Sequence, residues 1–289
     1  MANGTQSIER AGDGSPSAAA SRDHFSRIVA NWSYFGPPLR PSPSDTAVVQ
    51  RAVARLRAGA RAVVLGLTPE IVGCDWPADV RLTAVDHSPQ MIEALWPPAR
   101  GPANAEAVLA DWCTMPIESG TIDLVAGDGC YVVLAYPQVY AALTREVRRV
   151  LRRGGHFVIR VFLRPDAPES VAVIARAVAA GEVGSVHALK LRLLAALHGA
   201  SGEGSRLHDV WQAWQTLPPL PATLNGVRGW TAEEITGIDS YRGMAARYFL
   251  PTLAEFRHSV GAQLREVECA FGTDELGERC PTFVLTRDD

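Results

Sequence analysis

Four short turns, each closing an apolar run, hold the residues best suited to chemistry: Gly66-Leu67-Thr68-Pro69-Glu70, Asp86-His87-Ser88-Pro89-Gln90-Met91, Asp111-Trp112 and Gly127-Asp128-Gly129. Asp86 follows Gly66 by twenty residues, the spacing at which an acid closing a second strand accepts hydrogen bonds from both ribose hydroxyls of an adenosine. Its plainer use is to cap a helix that starts near Pro89. The first turn narrows the choice of adenosine compound. A pyrophosphate needs several free backbone N–H groups beside a helix N-terminus, whereas Pro69 removes one donor and Glu70 adds a negative charge. Phosphate is disfavoured, and a cationic ligand with a sulfonium and an ammonium group suits the turn better.

Asp128, between two glycines, allows close approach and reads as a contact to an ammonium, a contact to substrate or a general base, against the bland use of a turn acid in left-handed geometry. Tyr131, three residues on, is the second catalytic candidate. Upstream, Trp32, Tyr34, Phe35 and Arg40 crowd a proline-stiffened link. Such a cluster either packs or forms a lid, in which an aromatic ring faces the sulfonium, water is excluded and Arg40 clamps a carboxylate. The seven histidines show no HxxxH or HxH grouping, and His198 and His208 read as solvated helix residues before they read as bases. Five scattered cysteines without a CxxC pair indicate neither a disulfide framework nor a zinc site.

These turns need a scaffold. Five apolar runs read as strands: Ala62–Gly66, Leu82–Asp86, Ala107–Ala110, Ile122–Ala126 and His156–Phe162. Helices fit between them at Pro89–Trp96 and at Gln138–Leu151, whose end Gly154-Gly155 marks. Near-continuous apolar strands alternating with helices predict an α/β fold, doubly wound and Rossmann-like, with a mostly parallel sheet covered on both faces. Ahead of it, residues 1–21 lack any apolar period and read as a disordered tail. Residues 22–60 read as an N-terminal helical lid, with a helix at Asp23–Trp32 and another capped by Ser44 or Asp45. After the core at 61–164 comes a helical insertion at 165–245, with helices at Pro168–Ala180, Val183–His198 and Leu207–Leu217 and a capping box at Thr231/Glu234. Residues 246–289 return to strands, Leu264–Ala270 and Thr282–Thr286, which can add an antiparallel C-terminal edge.

Val-Val-Leu-Gly66-Leu-Thr-Pro-Glu70, Ala-Val-Asp86-His-Ser-Pro-Gln-Met91-Ile, Leu-Ala-Asp111-Trp112, Ile-Asp123-Leu-Val and Glu146-Val-Arg-Arg-Val-Leu-Arg-Arg-Gly154-Gly155-His-Phe together resemble class I S-adenosylmethionine-dependent methyltransferases over about residues 60–162. The resemblance implies S-adenosyl-L-methionine as cofactor. It places Asp86 on the ribose, Met91 against adenine and Asp111 at the adenine amino group, with Trp112 stacking nearby and Gly66, Thr68 and His87 lining the same turns. One departure stands out. The family's acid two places before the first glycine is Val64 here, and its later glycines are Thr68 and Glu70. Glu70 or Asp128 must then receive the ammonium group.

The chain has 289 residues, a formal net charge of −3, 47% hydrophobic and 20% charged residues, the profile of a globular protein that does not capture nucleic acid by charge. Only Lys190 among 28 basic residues is lysine, which reads as composition bias. No apolar stretch approaches the ~18–20 residues of a spanning helix, so a cytoplasmic protein without membrane partners is expected, with a homodimer as an open option. Val171, Val173, Ile174, Leu191, Leu193, Leu194, Trp211 and Trp214 in the insertion predict a closed, partly apolar pocket for a small molecule. The leading expectation is in-line methyl transfer to such a substrate. Cleavage or cyclisation of the same cofactor, to an azetidine amino acid and methylthioadenosine, competes with it, as does a non-catalytic nucleotide-binding scaffold.

Overall fold

The structure is a computed structural model that describes residues 26–96 and 101–289. The expected tail at 1–21 lies outside the described residues. Of the helix expected at Asp23–Trp32, residues 26–31 are helical, and Trp32–Tyr34 tighten into a 3-10 turn. Helix α1 (Pro43–Val53) is capped by Ser42 rather than Ser44 or Asp45. The Ser42 hydroxyl accepts the Asp45 N–H and the Asp45 carboxylate accepts the Ser42 N–H at 2.9 Å, so Asp45 is the third helical residue of a capping box.

Five parallel strands follow: β1 (Arg61–Leu65), β2 (Arg81–Asp86), β3 (Ala105–Leu109), β4 (Ile122–Asp128) and β5 (Leu151–Arg160). The short helix α2 (Pro69–Val72), then α3 (Pro89–Leu95) and α4 (Gln138–Val150), connect them. On α4, Tyr140, Leu143, Val147 and Val150 are buried at helical spacing, one apolar stripe laid on the sheet. Gly154-Gly155 do not end this helix. The chain turns extended at Leu151, and the two glycines sit inside β5 where its register against β4 shifts. Gly154 takes φ +67°, and a Cβ on Gly155 would lie 3.0 Å from the Ile122 carbonyl oxygen. The glycines therefore serve a bulge.

After β5 come α5 (Val171–Ala179), α6 (Val186–Ala196), β6 (Ser205–Arg206), α7 (Leu207–Gln215), α8 (Ala232–Thr236) and β7 (Arg247–Tyr248), with β6 and β7 forming a small antiparallel pair. The Thr231/Glu234 capping box forms as expected. This insertion has its own apolar core around Leu189, Leu193, Val210 and Trp230, with α6 buried on nearly all sides; Val173 points to solvent instead. Sequence periodicity missed α9 (Leu253–Gly261), a helix opened by a Thr252/Glu255 capping box, which packs on α4. Then β8 (Arg265–Ala270) and β9 (Thr282–Thr286) close the sheet in the order β3-β2-β1-β4-β5-β9-β8, the last two strands antiparallel. No described helix is long and apolar enough to cross a membrane.

Trp230 is fully buried in the insertion's core and its Nε1–H donates to the Val183 carbonyl at 3.1 Å. Trp230→Ala is expected to lower unfolding free energy by ~3–5 kcal/mol, read from the urea midpoint; a loss under ~1 kcal/mol would show the insertion's core to be loosely packed.

Candidate functional site at the carboxyl ends of the strands

β1 and β4 lie side by side where the strand order reverses, so the cleft of this open sheet falls at their carboxyl ends. Gly66, the next residue after β1, takes φ +80°, a conformation glycine adopts without a steric cost. A Cβ there would lie 3.7 Å from Trp112 Cζ2 and 3.9 Å from Asp86 Oδ2, so the structure brings Gly66, Asp86 and Trp112 to one place. Asp86 is buried. Its Oδ1 accepts the Ser88 N–H at 2.8 Å, and Oδ2 is turned toward Gly66. Burial pushes the Asp86 carboxyl above its ordinary range, against the pull of the Ser88 N–H and of His87. Capping of α3 falls to Ser88, whose hydroxyl accepts the Met91 N–H. Trp112 is held by an Nε1–H bond of 2.6 Å to the Val85 carbonyl and meets His87 edge-on. Asp111 is exposed beside it, one carboxylate oxygen accepting the Cys113 N–H at 2.8 Å.

Residues 32–41 cross these strand ends as a strap. Arg40 Nη2 donates to Glu70, and its guanidinium carbon lies 5.2 Å from the Trp32 ring centroid. Two residues before Arg40, the Pro38 carbonyl accepts Arg160 Nη1–H at 2.8 Å, while Arg160 Nε donates to Asp128 Oδ1 at 2.6 Å. Asp128 and Arg160 are register neighbours on β4 and β5. The guanidinium also faces the Phe162 ring at 5.0 Å and Asp45 Oδ2 at 3.8 Å. Burial raises the pKa of the Asp128 carboxyl, and Arg160 opposes that shift. Among the described residues, eleven buried side-chain nitrogen and oxygen atoms have no hydrogen-bond partner. Trp32 Nε1, Arg40 Nε, Glu70 Oε2 and Arg160 Nη2 are four of them, all on or beneath the strap.

Several expected roles move. Tyr131 is not at the cleft: its ring is buried against Tyr140 and Phe256, and its hydroxyl pairs with Thr144 Oγ1 at 2.8 Å. Met91 is buried in the apolar layer with Leu67 and Ile71. Asp128 is committed to Arg160 in a buried pair and does not stand alone to receive an ammonium group, while Glu70 is paired with Arg40 through one oxygen and keeps Oε2 unpaired. Thr68 is buried at the start of α2 without a side-chain cap bond, and Tyr34 is exposed on the strap. His198 is buried, its Nε2 accepting the Leu250 N–H, rather than solvated. Arg160 was missed, although an arginine inside the apolar run His156–Phe162 was a visible sign of a buried partner.

Breaking a buried pair leaves one charge uncompensated. Arg160→Met is expected to cost ~3–5 kcal/mol near neutral pH in urea titration, and Asp128→Asn added to it should recover part of that loss. The single variant's deficit should shrink in acid, because protonation discharges the abandoned carboxyl. A deficit independent of pH would show that Asp128 is already neutral.

Residues 67–159 match the methyltransferase domain family. No curated protein is similar enough in sequence to match. Among solved structures, one described as a putative Zn-dependent alcohol dehydrogenase from Rhodobacter sphaeroides superposes with a TM-score of 0.58 at 12% identity, covering 93% of this chain and 98% of that one. The N-methyltransferase NodS from Bradyrhizobium japonicum with S-adenosylhomocysteine gives 0.52 at 11%, covering 93% and 100%. The 1,6-didemethyltoxoflavin-N1-methyltransferase from Burkholderia thailandensis gives 0.52 at 13%, covering 98% and 94%. At such identities the likeness is one of fold. Among the described residues no group of three or more His, Cys, Asp or Glu is placed to hold a metal ion. Over residues 67–159, within the α/β core, this chain is similar to the methyltransferase domain family, and its sheet has the Rossmann-like order of strands.

Proposed function

We propose that this protein transfers the methyl group of S-adenosylmethionine to a small-molecule acceptor held between the sheet and the helical insertion. The observation that carries the reading is the convergence of Gly66 and Asp86 Oδ2 at the end of β1, with the Arg40–Glu70 pair and its unpaired Arg40 Nε and Glu70 Oε2 beside them. The residues fit the cofactor. Asp86 would hold the ribose, and Asp111, Trp112 and His87 would line the adenine end. Arg40 and Glu70 offer the opposite charges that the carboxylate and ammonium of an amino-acid end require. When bound, the cofactor supplies a methyl already activated on a sulfonium. The chain's part is to align the acceptor and keep water out, for which the strap and the Trp32 ring are placed. Asp128, paired with Arg160, anchors the strap instead of taking a proton.

A small acceptor suits an insertion with a closed core of its own, and the Burkholderia thailandensis structure holds 1,6-didemethyltoxoflavin together with S-adenosylhomocysteine. Five free cysteines among the described residues suit a reducing cytoplasm.

Asp86→Ala removes bonds to a charged acceptor worth ~1.5–3 kcal/mol each. Affinity for S-adenosylhomocysteine should fall at least about tenfold in calorimetric titration while the fold survives; unchanged affinity would remove Asp86 from the site. Product analysis tests the reaction itself. Incubation with S-adenosylmethionine and host metabolites should yield S-adenosylhomocysteine, whereas methylthioadenosine would establish the cleaving or cyclising alternative.

A further inference from the structure

The single lysine of the chain, Lys190, is fully buried in α6. Its Nζ has no hydrogen-bond partner. It lies 5.1 Å from the Phe35 ring centroid and 5.7 Å from that of Tyr241, close against Gly237. Three residues earlier, on the same helix face, His187 is also buried and neither ring nitrogen is bonded. Its ring packs beneath the strap, where a Cβ on Gly36 would be 3.3 Å from His187 Cδ2. Seven of the eleven unpaired buried atoms thus flank the strap: four on the cofactor side and, on the insertion side, Lys190 Nζ and both His187 nitrogens. Buried polar atoms in native proteins find partners, so this concentration marks where ligand atoms belong.

The chemistry of the insertion side is specific. It offers nitrogen donors between two aromatic rings. The acids around it are engaged elsewhere: Asp239 accepts the Trp211 Nε1–H at 2.9 Å, and Glu234 closes the capping box at Thr231. We propose that Lys190 and His187 bind the acidic hydroxyl of a planar aromatic methyl acceptor, a phenol or its phenolate, seated between Phe35 and Tyr241 when the strap lifts. This rests on the methyl-transfer reading of the adjoining cleft. Burial brings the Lys190 amine down to about 7, opposed by Asp239, and burial with Lys190 nearby brings His187 down to about 4. Near neutral pH the amine can therefore share or take the phenolic proton. Arginine, which the chain uses at its other basic positions, stays charged and cannot.

The test titrates the full chain, with and without S-adenosylhomocysteine, with 4-nitrophenol, whose phenolate is coloured. Wild-type protein should bind the dye and raise its ionised fraction above that of free dye at the same pH; phenyltrimethylammonium should not bind. Lys190→Met should weaken dye binding at least about tenfold and abolish the colour shift, and His187→Phe should weaken it less, both with unchanged S-adenosylhomocysteine affinity. Lys190→Met should also melt higher than wild type near pH 7. A depressed lysine pKa destabilises the fold most below about 7, and the penalty fades as pH rises toward the ordinary lysine value, so the gap should close near pH ~10. No dye ionisation by wild type, or equal dye binding by Lys190→Met, overturns the proposal. Failure of wild type to bind S-adenosylhomocysteine would instead sink the methyl-transfer reading, and the titration without it would still judge Lys190.

Discussion

The guanidinium of Arg160 is the point through which the parts of this molecule are joined. It stands at the end of β5, donates to Asp128 on β4 and to the Pro38 carbonyl of the strap, and faces Phe162, which packs into the insertion's core. A charge so deeply buried is tolerable only where partners meet it in fixed geometry. Those partners come from three separate places, so satisfying one side chain fixes the strap, the sheet ends and the base of the insertion relative to one another. Arg40 follows Pro38 by two residues, so the same anchor sets the place from which Arg40 meets Glu70 beside Gly66.

The architecture was largely legible because it is written in periodicity. Five apolar runs separated by helical stripes specify a parallel sheet, and each formed with its ends shifted by a few residues. Local chemistry was less legible wherever two mechanisms use the same residues. Gly154-Gly155 follows α4 as a helix stop would, yet the pair serves a bulge, because a helix can also end by turning directly into an extended strand. Ser42 outcompeted Ser44 and Asp45 as the cap since Pro43, suited to a first helical position, lies just after it. Helix α9 hid behind a weak apolar stripe, though Thr252 and Glu255 carried its start signal.

At the site, what a turn displays could be read, while what a strand end pairs with could not. Gly66, Asp86 and Trp112 come together because their positions follow from the parallel register of β1, β2 and β3. Asp128 and Glu70 read as carboxylates near the cleft, and the structure matches each with an arginine distant in sequence, by 32 and 30 residues. Spacing rules do not reach across such separations. Lys190 is the sharper case. Its rarity looked compositional, and only the fold shows that it is fully buried, with its amine left without a hydrogen-bond partner.

The two ion pairs that hold the strap differ in a way that orders its behaviour. Asp128 and Arg160 have side chains only 6% and 3% exposed, whereas Arg40 and Glu70 are 22% and 24% exposed. A pair reached by solvent is worth ~0–1 kcal/mol, while severing a buried one costs ~3–5 kcal/mol. The strap therefore has a firm fastening at Pro38 and a yielding one at Arg40. A zwitterionic ligand arriving at the yielding fastening replaces each partner with a group of the same sign, so exchanging the Arg40–Glu70 contact for ligand contacts costs little and satisfies Arg40 Nε and Glu70 Oε2. Phe35, which roofs Lys190, precedes both fastenings in the chain, and its near neighbour Trp32 is tied to Arg40 by a carbonyl that accepts Arg40 Nη1 at 3.3 Å, so the yielding contact and the roof of Lys190 share one stretch of strap.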